Sequence, residues 1–157
     1  MTNGAFTEIL LGILAILLVY AAFVDVRTFT ISNRLNLAVA LMAPLFWLSV
    51  GLPLWPDAAI QLAVAAGVFV LLAVAFYTGM MGGGDVKLAA ALALWFAPAT
   101  TVVFLVYMSI GGGVLTLVVL ILHRMKKKAG KPEVPYGVAI AFGGLVILIQ
   151  RFLNQFA

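Results

Sequence analysis

Long apolar runs separated by short polar segments dominate this chain. The runs lie near residues 8–24, 37–50, 58–77, 86–96, 100–122 and 136–152. A straight transmembrane helix needs roughly 20 apolar residues, and the run at 86–96 has about half that length. The pattern therefore predicts an all-α polytopic membrane protein with about six transmembrane helices, of which the fourth is short.

The composition supports a membrane protein and narrows its chemistry. The 157 residues are 66% hydrophobic and 9% charged, whereas soluble domains average about 45–50% apolar and about 25% charged residues. The sequence contains no cysteine, which excludes a disulfide framework and a thiolate metal site. We expect residues 1–157 to form a single transmembrane domain.

Glycine clusters inside two of the apolar runs indicate close helix packing. Gly111–Gly113 lie in the fifth run and Gly143–Gly144 in the sixth. Small residues at these places let neighbouring transmembrane helices approach closely.

The basic residues are distributed unequally between the two sides of the predicted bundle. With six segments, eight of the nine Lys and Arg residues fall on one side: Arg27, Arg34, Lys87, Arg124, Lys126, Lys127, Lys128 and Lys131. The positive-inside rule makes this side cytoplasmic and places both termini outside. Because these residues lie in loops beside apolar runs, they indicate contact with membrane lipids and not with nucleic acid.

Two aspartates lie where a membrane disfavours them. Asp25 closes the first apolar run, and Asp85 follows a glycine cluster just before the fourth. A carboxylate costs on the order of 2.5–3.5 kcal/mol at the bilayer centre, and less toward the interface. Both aspartates fall at the predicted cytoplasmic boundary, where a carboxyl pair could activate water for aspartic proteolysis.

The neighbours of the two aspartates predict different protonation states. Asp85 begins a helix and has Lys87 two residues further on, so both the helix dipole and the lysine charge favour its anion. Asp25 ends a helix, where the dipole opposes ionisation, although Arg27 acts in the other direction. This comparison places the shared proton on Asp25 and makes Asp85 the ionised base.

The two aspartates are also compatible with roles outside proteolysis. Asp85 could act as a helix N-cap alone, and Asp25 could pair with Arg27 or Arg34 at the interface. The protein would then be a non-enzymatic pilus or secretion assembly subunit. Alternatively, the carboxylates could relay ions in a small proton or ion transporter, although such groups are expected nearer the middle of the membrane.

Several short motifs resemble the type IV prepilin peptidases, which are polytopic aspartyl proteases. Gly82-Gly83-Gly84-Asp85 matches their Gly-x-Gly-Asp signature, and Asp25-Val26-Arg27, Ile31-Ser32-Asn33 and Pro135-Tyr136-Gly137 provide matching context. The resemblance implies cleavage of a prepilin or pseudopilin leader after a glycine, at the cytoplasmic face of a prokaryotic inner membrane. It also implies that the two aspartates are catalytic.

The resemblance assigns supporting roles to the remaining motif residues. Gly82 and Gly84 would shape the turn that holds Asp85. Lys87 and Arg27 would tune the carboxyl pKa values or position the substrate. The residues that would support the site from neighbouring segments are Asn33, Pro135, Tyr136 and Gly137.

The chain departs from the longest members of that family, which are bifunctional. Those members carry a cysteine-containing cytoplasmic domain and methylate the new N-terminus with S-adenosylmethionine. This chain resembles the short, peptidase-only subtype found with tight-adherence (Flp-type) pili. Because water is the nucleophile, the resemblance implies neither a metal nor an organic cofactor.

Overall fold

A computed structural model describes residues 4–126, 130 and 132–154 of the protein. This part of the chain contains no β-strand and forms six α-helices. They are α1 (Gly4–Thr28), α2 (Asn33–Val50), α3 (Ala59–Tyr77), α4 (Gly83–Ala93), α5 (Pro98–Met125) and α6 (Tyr136–Asn154). The all-α prediction is confirmed.

Five of the segments are long and apolar enough to cross a membrane, and the fourth is not. These spans are Gly4–Thr28, Asn33–Val50, Leu54–Tyr77, Pro98–Met125 and Tyr136–Asn154. With 11 residues, α4 is about 16 Å long at 1.5 Å per residue, half of a hydrocarbon core of about 30 Å. The fourth of the six predicted segments is therefore a half-length helix, and Asp85 lies outside the five spans.

Local signals in the sequence explain how α2 begins and ends. The Ser32 side chain accepts a hydrogen bond from the Leu35 amide and caps the first turn. Gly51 follows the last turn with φ 69°, a left-handed conformation that glycine adopts without a Cβ penalty. Because α2 begins directly after Ser32, the connection from α1 to α2 is short and comprises residues 29–32.

The sequence pattern places the end of the first helix too early. It predicts a loop over the polar residues 25–36, but α1 continues through Asp25 to Thr28, and α2 already starts at Asn33. Asp25 is polar yet buried, because the start of α6 packs against it. Polarity alone therefore gives the wrong boundary.

The short helix α4 lies inside the bundle and packs against α2, α3 and α6. Its Leu88, Ala89 and Leu92 are fully buried. Helix α1 packs against α2 and α6, and α6 packs against α5. Gly143 shows why glycine is needed in the last contact: a Cβ there would lie 3.0 Å from the Met108 amide nitrogen.

The same end of the bundle holds the C-terminal ends of α1 and α3 and the N-terminal ends of α2, α4 and α6. Hydrogen bonds join α1 to α6 and α2 to α4 at this end, which we call the aspartate face. Thr7 of α1 bonds Ser49 of α2 at the opposite end. Lys127, Lys128 and Lys131 of the predicted basic loop lie outside the described residues.

Candidate active site

Asp25 is held at the aspartate face by the first turn of α6. Its side chain is 1% exposed, and its Oδ2 accepts a hydrogen bond from the Gly137 amide at 2.6 Å. A Cβ on residue 137 would lie 2.8 Å from that same oxygen. Glycine therefore lets the backbone of α6 approach the carboxylate directly.

Asp85 is held by the first turn of its own helix. The side chain is 7% exposed, and its Oδ2 accepts a hydrogen bond from the Gly82 amide at 3.1 Å. Gly82 occupies the N-cap position of α4 and Asp85 lies three residues further on. Asp85 thus reaches back to the cap residue, and the expectation that Asp85 is itself the N-cap is wrong.

Ile31 lies between the first turn of α4, which carries Asp85, and the first turn of α6, which binds Asp25. A Cβ on Gly84 would lie 2.6 Å from the Ile31 carbonyl oxygen, and a Cβ on Gly137 would lie 2.7 Å from Ile31 Cδ1. Gly84 directly precedes Asp85, and Gly137 is the residue that binds Asp25. One buried residue therefore lies against both the turn that carries Asp85 and the turn of α6 that binds Asp25.

The two carboxyl groups are close enough to influence each other electrostatically. Burial, and then the charge of Asp25, raise the pKa of Asp85 from an ordinary 3.8 to about 7, against the opposing effect of the Gly82 amide. A pair of this kind shares one proton near neutral pH. Such a pair can supply a general base and a general acid together.

The lysine and arginine expected to tune the site bind elsewhere. Lys87 Nζ donates to Asn33 Oδ1 at 2.8 Å, which joins α4 to α2 at the exposed edge of the site. The Arg27 guanidinium lies 4.4 Å from the centre of the Phe23 ring. Asp25 instead takes its hydrogen bond from the Gly137 amide, so the predicted pairing of Asp25 with Arg27 is not observed in the described part of the chain.

The Pro135-Tyr136-Gly137 motif is only partly at the site. Pro135 is buried immediately before α6, and Gly137 contacts Asp25. The Tyr136 hydroxyl instead lies 3.4 Å from Thr116 Oγ1 of α5. The structure therefore places Tyr136 in the α5–α6 contact.

Sequence reasoning missed Asn36, which lies near the site. Its Nδ2 donates to the Gly84 carbonyl at 2.9 Å. The signal that could have found it is its spacing, because Asn33 and Asn36 lie three residues apart and so share one face of α2.

The glycines at the site give a direct test of this geometry. If the site performs the leader cleavage that the sequence predicts, Gly84→Ala and Gly137→Ala should each lower the cleavage rate about tenfold, because small displacements of reacting groups are costly. Gly113→Ala in α5 is the control, since a Cβ there meets nothing within 4 Å. Rates would be measured on folded protein, checked by circular dichroism. Wild-type rates in both site variants would contradict the contacts described above.

A comparison with known protein families finds a match over most of the chain. The model of the type IV leader peptidase family matches residues 12–117, a range that includes both aspartates and the whole of α4. The chain belongs to the type IV leader peptidase family. No curated protein and no solved structure gives a match.

Membership in the leader peptidase family implies an aspartic-type peptidase and a pilin-type substrate in general. The matched range ends before α6, so the bond from Gly137 to Asp25 comes from the structure alone. In the described residues, no group of three His, Cys, Asp or Glu side chains could hold a metal ion.

Proposed function

We propose that this protein cleaves the leader peptide of type IV, Flp-like prepilins after a glycine at the cytoplasmic membrane face. The observation that carries the proposal is the pair of buried carboxyl groups at one end of the bundle. They come from different helices, Asp25 from α1 and Asp85 from α4, and each is fixed by a backbone amide. Membership in the leader peptidase family supports the same reaction.

Hydrolysis needs one carboxylate and one carboxylic acid. The carboxylate takes a proton from water while the water oxygen attacks the scissile carbonyl carbon, and the acid protonates the carbonyl oxygen. When the tetrahedral intermediate collapses, the first carboxyl group donates its new proton to the leaving amine nitrogen. The hydroxyl of the intermediate returns its proton to the second carboxyl group, which restores both aspartates.

The contacts at the site favour the opposite proton distribution from the one that the sequence predicts. Both carboxyls accept a backbone amide, but the bond from Gly137 to Asp25, at 2.6 Å, is shorter than the bond from Gly82 to Asp85, at 3.1 Å, and stabilises a carboxylate more strongly. Asp85 is buried with a pKa of about 7, and Lys87 is bonded to Asn33. We assign Asp25 as the base and Asp85 as the acid.

The proposed site lies on the cytoplasmic side of a prokaryotic inner membrane. Arg27, Arg34 and Lys87 belong to helix turns at the aspartate face, whereas Arg151 lies in the last turn of α6 at the other end. This asymmetry supports a cytoplasmic aspartate face by the positive-inside rule. We also propose that residues 1–157 form a single peptidase domain.

Purified protein should cleave a prepilin in EDTA and without S-adenosylmethionine, leaving an unmethylated N-terminus. The reason is that the proposed nucleophile is water and that the sequence contains no cysteine and one histidine. Mass spectrometry of the product would measure both the cleavage position and any added methyl group. A product one methyl group heavier, formed when S-adenosylmethionine is supplied, would refute a peptidase-only enzyme. Loss of cleavage in EDTA would refute the two-aspartate mechanism.

Reporter fusions should place both termini outside and the aspartate face in the cytoplasm. Fusions at Asp57 and at the C-terminus should report an external location, and a fusion after Lys128 should report the cytoplasm. Helix α4 has only half the length of a span, but α5 still runs back to the aspartate face. The expected location of both termini is therefore the same as for six full spans. A cytoplasmic C-terminus would contradict the proposed orientation.

A further inference from the structure

A buried amide from α2 contacts the turn that carries Asp85. Asn36 is 5% exposed, and its Nδ2 donates to the Gly84 carbonyl at 2.9 Å. That carbonyl belongs to the peptide group that links Gly84 to Asp85. A change in the Asn36 bond would therefore rotate the backbone from which the Asp85 side chain extends.

The same backbone is fixed from a second side. The Ile31 carbonyl leaves no room for a Cβ at Gly84, so the backbone rests directly on the residues that precede α2. Lys87 Nζ bonds Asn33, which lies on the same face of α2 as Asn36. The start of α4 is thus held by α2 through an exposed bond and a partly buried one.

We propose that Asn36 is a positioning residue for Asp85, which it orients through the Gly84 carbonyl. This inference rests on the proposed function, since it concerns the geometry of the proposed acid. Asn36 does not touch the reacting atoms in this arrangement. It fixes the direction from which Asp85 delivers its proton.

The amide oxygen of Asn36 helps to distinguish a positioning role of this residue from a packing role. In the described part of the chain, Asn36 Oδ1 is buried without a hydrogen-bond partner. An unpaired buried oxygen opposes folding, and an apolar side chain of similar size avoids that cost. A residue needed only for packing would therefore serve better as leucine, so Asn36→Leu is expected to fold.

The chain provides a matched control in Gln61 of α3. Gln61 is also buried and has one unpaired amide oxygen among the described residues, but it lies in the first turn of α3, at the end opposite the aspartates. Gln61→Leu removes the same kind of group without touching the first turn of α4. Both leucine variants should remain folded at the assay temperature, which circular dichroism would check.

Steady-state cleavage of a prepilin by the full chain tests the proposal. We expect Asn36→Leu to lower kcat by about ten- to a hundredfold with an unchanged KM, because misorientation of a reacting group acts on the chemical step. Gln61→Leu should keep both constants. A wild-type kcat in folded Asn36→Leu, or an equal loss in Gln61→Leu, would overturn the proposal.

Asn36→Asp supplies a second test that does not depend on the leucine variant folding. An ionised carboxylate at position 36 cannot donate to the Gly84 carbonyl, whereas a protonated carboxyl group can. The ratio of variant to wild-type kcat should therefore rise as the pH falls. A ratio that is constant with pH would contradict the positioning role.

A spectroscopic measurement separates failure of this inference from failure of the proposed function. If the wild-type chain cleaves no prepilin, the proposed function fails. The infrared band of the Asp85 carboxyl can still be isolated by subtracting the spectrum of the double variant Asp25→Asn/Asp85→Asn from that of Asp25→Asn. Adding Asn36→Leu to the Asp25→Asn chain should broaden that band, and adding Gln61→Leu should not. An unchanged band would overturn the positioning role even in an inactive protein.

Discussion

Asp25→Asn and Asp85→Asn should each lower leader cleavage by about a hundred- to ten-thousandfold, the usual contribution of a positioned general acid or base. Asparagine keeps the shape of the side chain and can still accept the amide bond from Gly137 or Gly82. It cannot take a proton from water or deliver one to the substrate. Co-expression with a prepilin, followed by gel separation of precursor and mature forms, measures the loss.

Asp57→Asn is the matched control, because Asp57 lies just before α3, at the end of the bundle opposite the aspartate face. This variant should process the prepilin at the wild-type rate. Full processing by either site variant would remove that aspartate from the catalytic pair. If both site variants processed fully, the aspartates would have the structural role expected in a non-enzymatic assembly subunit.

The helices were predictable because a membrane imposes strong constraints on sequence. A spanning segment must satisfy its backbone hydrogen bonds internally and must be apolar over about 20 residues. Both constraints are visible in a single sequence, as is the half-length of the segment that forms α4. The end of α1 was not predictable in the same way, because the burial of Asp25 by α6 is a tertiary contact.

The aspartates were predictable as candidates because charge inside an apolar chain is unusual. Their partners were not, since the bond from Gly137 to Asp25 joins residues 112 positions apart. The position of Ile31 between Gly84 and Gly137 likewise depends on tertiary packing. Lys87 illustrates the same difficulty, because sequence proximity to Asp85 suggests an ion pair, whereas its ammonium group binds Asn33.

These contacts also change the expected proton distribution. The helix dipole contributes about 0.3–1 kcal/mol near a surface, which favours an ionised Asp85 when no other effect is visible. One pKa unit corresponds to about 1.4 kcal/mol, so burial and the charge of Asp25 outweigh the dipole at Asp85. Burial and the charge of Asp25 depend on how the site is packed, so the sequence alone does not reveal them.

The cleavage rate should fall as the pH rises above about 7, by about tenfold per unit, if Asp85 is the acid. Asp85 must be protonated to donate, and its pKa of about 7 means that the competent form is lost as the pH increases. By pH 9 the rate should be about a hundredfold below its maximum. Initial rates measured from pH 5 to 9, with an unchanged prepilin concentration, provide the profile.

The raised pKa of Asp85 also predicts how the stability of the folded protein depends on pH. The folded-state pKa of Asp85 exceeds its ordinary value of 3.8, so the folded protein binds this proton more tightly than the unfolded chain. The contribution of this proton to the free energy of unfolding is therefore fully present below about pH 4. It is lost as the pH rises to about 7. The upper limit of the loss is about 4–5 kcal/mol, since each pKa unit is worth about 1.4 kcal/mol.

Asp85→Asn removes that titration and should raise the unfolding temperature at pH 8 relative to wild type. At pH 4 the difference should largely disappear, because the wild-type carboxyl is then neutral. Thermal unfolding in detergent at the two pH values measures both differences, with Asp57→Asn as the control. The carboxyls titrate as a pair, so the stability difference identifies Asp85 more directly than the rate profile does. If Asp25→Asn showed this pH-dependent gain and Asp85→Asn did not, Asp25 would hold the proton and the two catalytic roles would be exchanged.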